Sequence, residues 1–519
     1  MRLETPEVAF RRGDDIASLL RGHAWTNPGR RALIDGDRTL SYAELDSRVD
    51  RIGAALAASS VGPGGRVAVL AANDATYVAV FFATLRAGAS IVPLPTLSSR
   101  EALEAMLDDS GAAVLFVGRG HEELGVSLAA RRALLRVALD DGVPRGLTPL
   151  TAFLARAENA PDVAIGPNDE FDVIYSSGTT GTPKGIVHSH GARKASYAGS
   201  RARWFSPESV NVVATPLYSN TTCITFLLTT ATGGTNVLFP KFSADAFLDA
   251  VETHRATHAM LVPTQYDRIV SSPRFPGADL SSLRVLFSTS APLPSDMKRR
   301  VLSTTNAELV EIYGLTEGGP VTVLEARRHP DKLGTVGKPA PGTELRVVDE
   351  RGEDVPAGTA GEVVGRSGNM MSGYLNRPDE NAAIVFRDAT GKLYFRTGDV
   401  GRLDADGFLH LLDRKKDVII SGGFNVYATD LESVLLDHPD VQEAAVIGVP
   451  SERWGETPLA LVVLKSGAHA TADAIREYLN AKVGKAQRAS AVELRTELPK
   501  SAIGKVLKRE LREPYWRRR

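Results

Sequence analysis

Cysteine is almost absent: a single residue, Cys223, stands in 519. It has no partner for an intrachain disulfide, which fits a reducing compartment. Long apolar runs are absent too. Residues 77–85 form one of the longest, far short of the roughly 18–20 needed to span a bilayer. Residues 1–20, MRLETPEVAFRRGDDIASLL, lack the uninterrupted apolar core of a signal peptide. The expectation is a cytoplasmic chain with no integral membrane segment. An excess of charge of either sign is missing as well. Lys plus Arg total 61 and Asp plus Glu 62, a net charge of -1. No basic surplus exists to neutralise phosphates, so nucleic acid is not an expected partner. The scarcest common residue is lysine, with 15 against 46 arginines, and the first is Lys184. A chain that avoids lysine for so long and then uses one marks that position.

What is present is ordinary for a globular protein. Hydrophobic residues make up 43% and charged residues 24%, which excludes disordered and fibrous classes. At roughly 100–200 residues per domain, this length allows two to four structural units. Ser-Tyr-Ala-Glu at 41–44 reads as a capping box, and Leu45, Val49, Ile52 and Leu56 follow at helical spacing. A Gly-Pro-Gly-Gly turn at 62–65, a strand at 66–71, a helix at 74–86 and a strand at 90–94 come next. This rhythm predicts a parallel sheet with helices on its faces. It returns between 210 and 315, with strands near 210–215, 235–239, 258–262 and 285–288.

From about 334 to 412 glycine and proline become dense around short alternating runs at 344–348, 361–365, 393–396 and 408–412, and a small β unit is expected. The polar run Asp-Arg-Lys-Lys-Asp at 413–417 is the expected boundary before a compact α/β segment. There Thr429 should cap one helix and Thr471 another, whose apolar face is Ile475, Tyr478, Leu479 and Val483. The last residues, REPYWRRR, read as a solvated tail, and Lys508 with Arg509 as a solvated helix face.

Residues 171–175, Phe-Asp-Val-Ile-Tyr, read as a strand. They run into Ser-Ser-Gly-Thr-Thr-Gly-Thr-Pro-Lys-Gly at 176–185, and strand character resumes at 186–188. Glycines that expose N–H groups, recurrent hydroxyls and a closing lysine cradle an anionic phosphate chain. The loop G-x-x-x-x-G-K-[ST] that opens a helix is not matched. Lys184 sits between Pro183 and Gly185, and strand residues follow it. A plain Ser/Gly linker is the bland alternative, but this run joins two strands and ends in the first lysine of the chain.

The run at 176–185 resembles the phosphate-binding signature of the adenylate-forming superfamily. That superfamily takes in acyl-CoA synthetases, adenylation domains of nonribosomal peptide synthetases and firefly-type luciferases. Four further segments match in the same order. Tyr-Gly-Leu-Thr-Glu at 313–317 resembles the adenine-and-magnesium motif, and Tyr-Phe-Arg-Thr-Gly-Asp at 394–399 the ribose motif. Asp-Arg-Lys-Lys-Asp at 413–417 with Ile-Ser-Gly-Gly at 420–423 resembles the hinge and its glycine loop. Pro-Lys-Ser-Ala-Ile-Gly-Lys at 499–505 resembles the catalytic lysine motif. The implied fold is α/β. Residues 1–415 would form a large amino-terminal domain of layered α/β subdomains plus a small β unit. Residues 416–519 would form a small mobile α+β domain.

The resemblance implies a two-step reaction. A carboxylate oxygen attacks the α-phosphorus of ATP and pyrophosphate leaves; a thiol then attacks the acyl adenylate and AMP leaves. Thr179, Thr180 and Lys184 would hold the β- and γ-phosphates. Glu317 would hold Mg²⁺, Thr316 would donate to the α-phosphate, and Tyr313, Ser290 and Ala291 would line the nucleotide. Asp399 would accept both ribose hydroxyls, and Arg414 would reach the ribose from the other side. Lys505 would bridge carboxylate and α-phosphate, a task suited to a flexible ammonium. Lys416 is the implied hinge for a rotation of residues 417–519. That rotation would present Gly423, with Trp454, to the pantetheine arm of coenzyme A.

The acid would enter among Tyr218, Ser219, Thr289 and Gly314. Many CoA ligases resembling this chain carry Pro-x-aromatic-His where Pro-Leu-Tyr-Ser stands at 216–219, so Ser219 replaces an imidazole. The expected function is an ATP- and Mg²⁺-dependent carboxylate–CoA ligase acting on a fatty or aromatic acid. Three alternatives are an enzyme loading a separate carrier protein, a catalytically dead binding paralogue and a luciferase-like oxygenase. The carrier-loading class usually places an aspartate near Tyr218, and none occurs from Asn211 to Lys241. A dead paralogue would have lost Lys184, Glu317, Asp399 or Lys505, and all four are present. Neither the acid nor the oligomeric state, a homodimer included, is read from the sequence.

Overall fold

A computed structural model describes residues 8–128, 134–142, 145–155, 157, 162–176, 183–500 and 506–516. They form two compact units: residues 1–344 with 365–395, and residues 345–364 with 396–519. The architecture is mixed α/β, with a large amino-terminal part and a small carboxy-terminal one.

The first unit holds two sheets. In the seven-stranded sheet, Arg66–Leu70, Ser90–Pro93, Val114–Val117, Leu135–Ala138 and Glu170–Ser176 are parallel. Lys184–Ser189 and Gly373–Tyr374 add antiparallel strands at one edge. In the nine-stranded sheet, Glu308–Leu315, Val285–Ser288, His258–Leu261, Val210–Val213, Thr235–Leu238 and Arg31–Asp35 run parallel in that spatial order. The expected strands are found within a few residues of their predicted ends. Helix Ala75–Arg86 is buried at every residue but Thr76, as a helix apolar on nearly every face must be. Its Phe81 packs edge-on against Phe171 of one sheet and Phe226 of helix Asn220–Ala231, at 5.9 and 5.8 Å between centroids. The capping box forms: Ser41 Oγ accepts from Glu44 N at 3.2 Å and Glu44 Oε2 accepts from Ser41 N at 2.7 Å.

Parallel strands present their carboxyl ends along one edge, where ligands bind in open α/β sheets. Residues 215–220, 289–293 and 316–317 all leave strands of the nine-stranded sheet at that edge. Motifs about a hundred residues apart in sequence thereby share one rim.

In the second unit, Val441–Ser451 pairs antiparallel with Gly455–Leu464, and Ala491–Arg495 adds in parallel. Ile419–Ser421 and Phe424–Val426 form a hairpin. Helices Ala428–Leu436 and Ala472–Lys482 bury Leu431, Leu435, Ile475 and Leu479 against this sheet. Three local expectations are corrected here. Thr429 caps nothing, and its hydroxyl is buried without a partner. The helix begins one residue earlier, and the Ala428 amide donates to Asp413 Oδ2 at 2.7 Å. A buried carboxylate from the polar run thus takes the place of a local cap. Lys508 is not solvated: it pairs with Glu432 at 2.7 Å. The carboxy-terminal residues form helix Lys508–Trp516, which docks through Trp516 Nε1 on the Gly448 carbonyl at 3.0 Å. Thr471 does cap, accepting from Ala474 N at 3.2 Å.

Two buried histidines of the first unit give the fold an acid limit. Burial holds both His190 and His258 down at about 4. A depressed folded value means that stability is complete above the ordinary value near 6.5. It is lost as pH falls through the folded value, because the unfolded chain takes up the proton first. At pH 5 each should cost roughly 2 kcal/mol. Thermal midpoints measured from pH 7 to pH 5 should fall steeply, and His190→Leu should flatten the slope. An unchanged slope in that variant would show that His190 is not one of the responsible groups.

Candidate active site

Strand Glu170–Ser176 pairs antiparallel with Lys184–Ser189, and Ser176 lies opposite Lys184. The strands on either side of the glycine-rich run therefore pair with each other, as the strand pattern predicts. Thr179 and Thr180 lie outside the described residues. Lys184 is ion-paired with the Glu380 carboxylate and sits 5.4 Å above the centre of the Tyr374 ring. Glu380 belongs to helix Pro378–Ala383 and also lies 3.6 Å from Arg377. The expected role of Lys184 requires a phosphate chain to compete with this carboxylate for the ammonium. Glu380→Gln is expected to lower KM for ATP by about two- to fivefold, the size of a half-exposed ion pair. An unchanged or raised KM for ATP in steady-state kinetics would show that Glu380 does not compete.

Thr316 and Glu317 are the two turn residues of a β-hairpin, since Leu315 of strand Glu308–Leu315 pairs with Gly318 of strand Gly318–Glu325. Gly318 has φ +79°, and a Cβ there would come within 2.3 Å of the Asn369 carbonyl oxygen. Only glycine fits that approach. The turn is held from three sides. The Glu317 carbonyl accepts from Met371 N at 2.9 Å, and Glu317 Oε1 accepts from the Tyr374 hydroxyl at 2.8 Å. The Thr316 carbonyl oxygen accepts from His188 Nε2 at 2.7 Å. Tyr374 thus stands between Lys184 and Glu317. Tyr313 is half-buried and Gly314 exposed on the same strand.

One carboxylate oxygen of Glu317 takes a single phenolic hydrogen bond, so hard-oxygen lone pairs remain, which suits a cation that keeps phosphate and water ligands. Among the described residues no cluster of three His, Cys, Asp or Glu forms a self-sufficient metal cage. The free oxygens of this carboxylate fit Mg²⁺ that keeps phosphate ligands, and Glu317 is the residue that would hold it.

On the acid side, Asn73 clamps the turn after strand Val210–Val213. Its Nδ2 donates to the Thr215 carbonyl at 2.9 Å and its Oδ1 accepts from Leu217 N at 2.7 Å. Tyr218 is buried. Ser219 is the N-cap of helix Asn220–Ala231, accepting from Thr221 N at 3.3 Å, so the residue at the usual imidazole position here starts a helix. The Thr221 and Ser290 hydroxyls share a hydrogen bond of 2.7 Å. Ser290 is one of few non-glycine residues with positive φ, +77°, a conformation that persists only where neighbours hold it. Thr289 is buried beside it and Ala291 half-buried. The loop is also anchored from below: Leu293 N donates to Glu311 Oε1 at 2.7 Å, and Glu311 pairs with Lys298, both carriers of charge being 2% exposed.

The second unit places Asp399 in strand Leu393–Leu403, opposite Arg414 of strand Leu409–Arg414, with Arg414 Nε 3.1 Å from Asp399 Oδ1. The two expected ribose ligands are thus cross-strand neighbours. Asp399 sits inside a long strand and not in a turn, because the strand continues past Arg396. Gly423 and Trp454 are exposed, Trp454 at 47%. The Trp454 ring covers Gly422, where a Cβ would lie 2.7 Å from it. Lys416 is exposed, and its carbonyl accepts from Arg512 at 2.9 Å. Lys505 lies outside the described residues. Its flanks do not: Lys500 and Val506 form an antiparallel bridge, and Leu507 N donates to Pro499 O at 2.8 Å.

Asn73, Asp172, His188, Arg193, Glu311, Tyr374 and Glu380 are absent from the residues singled out by sequence. The available signal was faint: a charged residue inside an apolar strand for Asp172 and Glu311, and nothing local for the others.

The first unit carries the hairpin around the glycine-rich run and the Thr-Glu turn, and the second carries the Asp–Arg pair, each where the adenylate-forming motifs were expected. Comparison with known proteins gives the same answer. The model of AMP-binding enzymes matches residues 20–375, and that of the AMP-binding enzyme C-terminal domain matches residues 430–505. A feruloyl-CoA synthase from Amycolatopsis sp is 38% identical over 97% of this chain and 100% of its own length. An indoleacetate–CoA ligase from Aromatoleum aromaticum is 36% identical over 96% of this chain and 98% of its own. ATP-bound MatB from Rhodopseudomonas palustris superposes with a TM-score of 0.87 at 31% identity, covering 97% of this chain and 99% of that one. The chain belongs to the AMP-binding enzyme family, in the acyl-CoA synthetase branch of the adenylate-forming superfamily. It is an acid–thiol ligase that uses ATP, Mg²⁺ and coenzyme A to turn a carboxylate into an acyl adenylate and then a thioester. No described helix is long and apolar enough to cross a membrane.

Proposed function

We propose that the acid is an aromatic carboxylate. The observation that carries this reading is the near full-length likeness to ligases named for ferulate and indoleacetate. The site supports it: a buried Tyr218, the hydroxyls of Thr221 and Ser290, and no acidic residue to receive an amino group from Asn211 to Lys241.

In this reading Thr179, Thr180 and Lys184 hold the β- and γ-phosphates, and Lys184 leaves Glu380 to do so. Thr316 donates to the α-phosphate, with its turn fixed by His188 and Met371. Tyr313, Ser290 and Ala291 line the adenine. Asp399 accepts the ribose hydroxyls while Arg414 holds that carboxylate from across the hairpin. When bound at Glu317, Mg²⁺ supplies positive charge to the phosphate oxygens. Lys505 serves adenylation. Lys416 is the pivot about which residues 417–519 reorient before Gly423 and Trp454 receive the pantetheine arm. Thr289 and Gly314 complete the acid site with Tyr218 and Ser219. A thiol at Cys223 plays no part, since burial pushes it up to about 11 and leaves it unreactive. Such a chain works in a reducing, cytoplasmic compartment.

The test is AMP release from ferulate, indoleacetate, phenylacetate, hexanoate and palmitate, each with and without CoA. Aromatic acids should give the highest kcat/KM, with release dependent on CoA. A preference for hexanoate or palmitate would overturn the acid class. Adenylate that accumulates until a carrier protein is added would overturn CoA as acceptor.

A further inference from the structure

We propose that Asp172, His188 and Arg193 form a positioning relay that ties the acid-side helix to the Thr316–Glu317 turn. The three side chains are almost completely buried, at 1, 2 and 5% exposure. His188 Nε2 lies 2.7 Å from the Thr316 carbonyl oxygen. A carbonyl only accepts, so this nitrogen carries the proton and donates it. The other ring nitrogen, across a cross-strand pair of the hairpin, lies 2.8 Å from Asp172 Oδ1 and 3.1 Å from Arg193 Nη2, so in the neutral ring it accepts from the Arg193 guanidinium that Asp172 holds. Arg193 Nη2 is 2.5 Å from Asp172 Oδ2. Its Nη1 donates at 2.6 Å to Oδ1 of Asn220, the first residue of helix Asn220–Ala231. The next residue, Thr221, is bonded to Ser290. An unbroken polar chain thus runs from the start of the acid-side helix to the carbonyl that fixes Thr316.

Burial of an Asp–Arg pair has no net advantage over packed apolar groups, so fold stability alone gives no reason for these residue types. Orientation does. A carboxylate that fixes a guanidinium against an imidazole also fixes what the imidazole touches. The relay is not part of the adenylate-forming motifs, and none of its members touches a reacting atom. It acts through Thr316, and so rests on the assignment of Thr316 to the α-phosphate.

The experiment separates the half reactions in the full-length enzyme, using whichever acid of the panel above gives the fastest AMP release. Adenylation is read as ATP–pyrophosphate exchange, and thiolysis as CoA-dependent consumption of supplied acyl adenylate. His188→Leu should slow adenylation about 10- to 100-fold, the loss typical when an orienting partner is removed, and leave thiolysis nearly unchanged. His188→Gln, which keeps a donor toward Thr316, should recover most of the rate. Asn220→Ala should lose less than His188→Leu, and adding it to His188→Leu should cost little more, because linked residues are not additive. Equal losses in both half reactions, no rescue by glutamine, or fully multiplicative losses would overturn the relay. If His188→Leu does not fold, the cycle of His188→Gln with Asn220→Ala decides the same question. Thr316→Ala distinguishes the two levels. A loss in Thr316→Ala that is not selective for adenylation removes the α-phosphate assignment. A selective loss there without one in His188→Leu removes the relay alone.

Discussion

Lys505→Ala is expected to slow acyl-adenylate formation by about 10²–10³-fold, the usual loss for one preorganised charge contact to the reacting group. The same variant, given acyl adenylate directly, should transfer the acyl group to CoA at close to the parent rate. The physical reason is timing. In the first half reaction negative charge passes from the attacking carboxylate to the α-phosphate oxygens, and a flexible ammonium with three donors can follow both. In the second, the leaving group is AMP and that bridge has no task. The residues on either side of 501–505 are themselves held in place. Lys500 bridges to Val506, Lys500 Nζ lies 2.7 Å from Glu443, and buried Leu498 anchors the approach. Pyrophosphate exchange and single-turnover thiolysis measure the two halves. Equal losses in both would show that Lys505 maintains the fold and not the adenylation step.

Lys298→Met is expected to have the largest effect on stability, about 3–5 kcal/mol, because it leaves the Glu311 carboxylate buried without its cation. Burial pushes Glu311 above its ordinary value even with Lys298 beside it, so the unpaired acid would take up a proton or disrupt the site. Removing the charge at both positions should restore most of the loss. In Lys298→Met/Glu311→Gln the amide oxygen still accepts from Leu293 N, so the loop bearing Thr289, Ser290 and Ala291 stays anchored. Glu311→Leu would recover less, since it orphans that amide at about 1–3 kcal/mol. Denaturant titrations of the three variants measure the difference. A Lys298→Met variant within about 1 kcal/mol of the parent would show the carboxylate to be rehydrated or already neutral.

The legible parts of the fold were those written in local spacing. The capping box at Ser41 and Glu44, the buried face of helix Tyr42–Ala58 and the parallel strands of both sheets are functions of residues a few positions apart. The hairpin around the phosphate run was legible for the same reason, since strand pattern flanks it on both sides. The misreadings share an opposite cause. Thr429 looks like a cap until Asp413, fifteen residues before Ala428, occupies the Ala428 amide. Lys508 looks solvated until Glu432, over seventy residues away, faces it. The terminal helix looks like a tail until Trp516 finds the Gly448 carbonyl. Each was decided by a partner distant in sequence, and periodicity carries no information about such partners.

The sequence alone determined the chemistry class. The residues expected to hold phosphate, magnesium and ribose lie in short motifs because the backbone near such ligands must bend in a fixed way, and Lys184 stood out because lysine is otherwise withheld. What those motifs rest on was decided only by the tertiary structure. The rim on which residues 215–220, 289–293 and 316–317 meet exists because parallel strands end on one side of a sheet. Glu380 opposite Lys184, Tyr374 against Glu317, and the buried path from Asn220 through Arg193, Asp172 and His188 to Thr316 are contacts between segments far apart along the chain. Burial makes each partner's charge or hydrogen bond matter, and burial is a property of the packed chain, not of its residues in order.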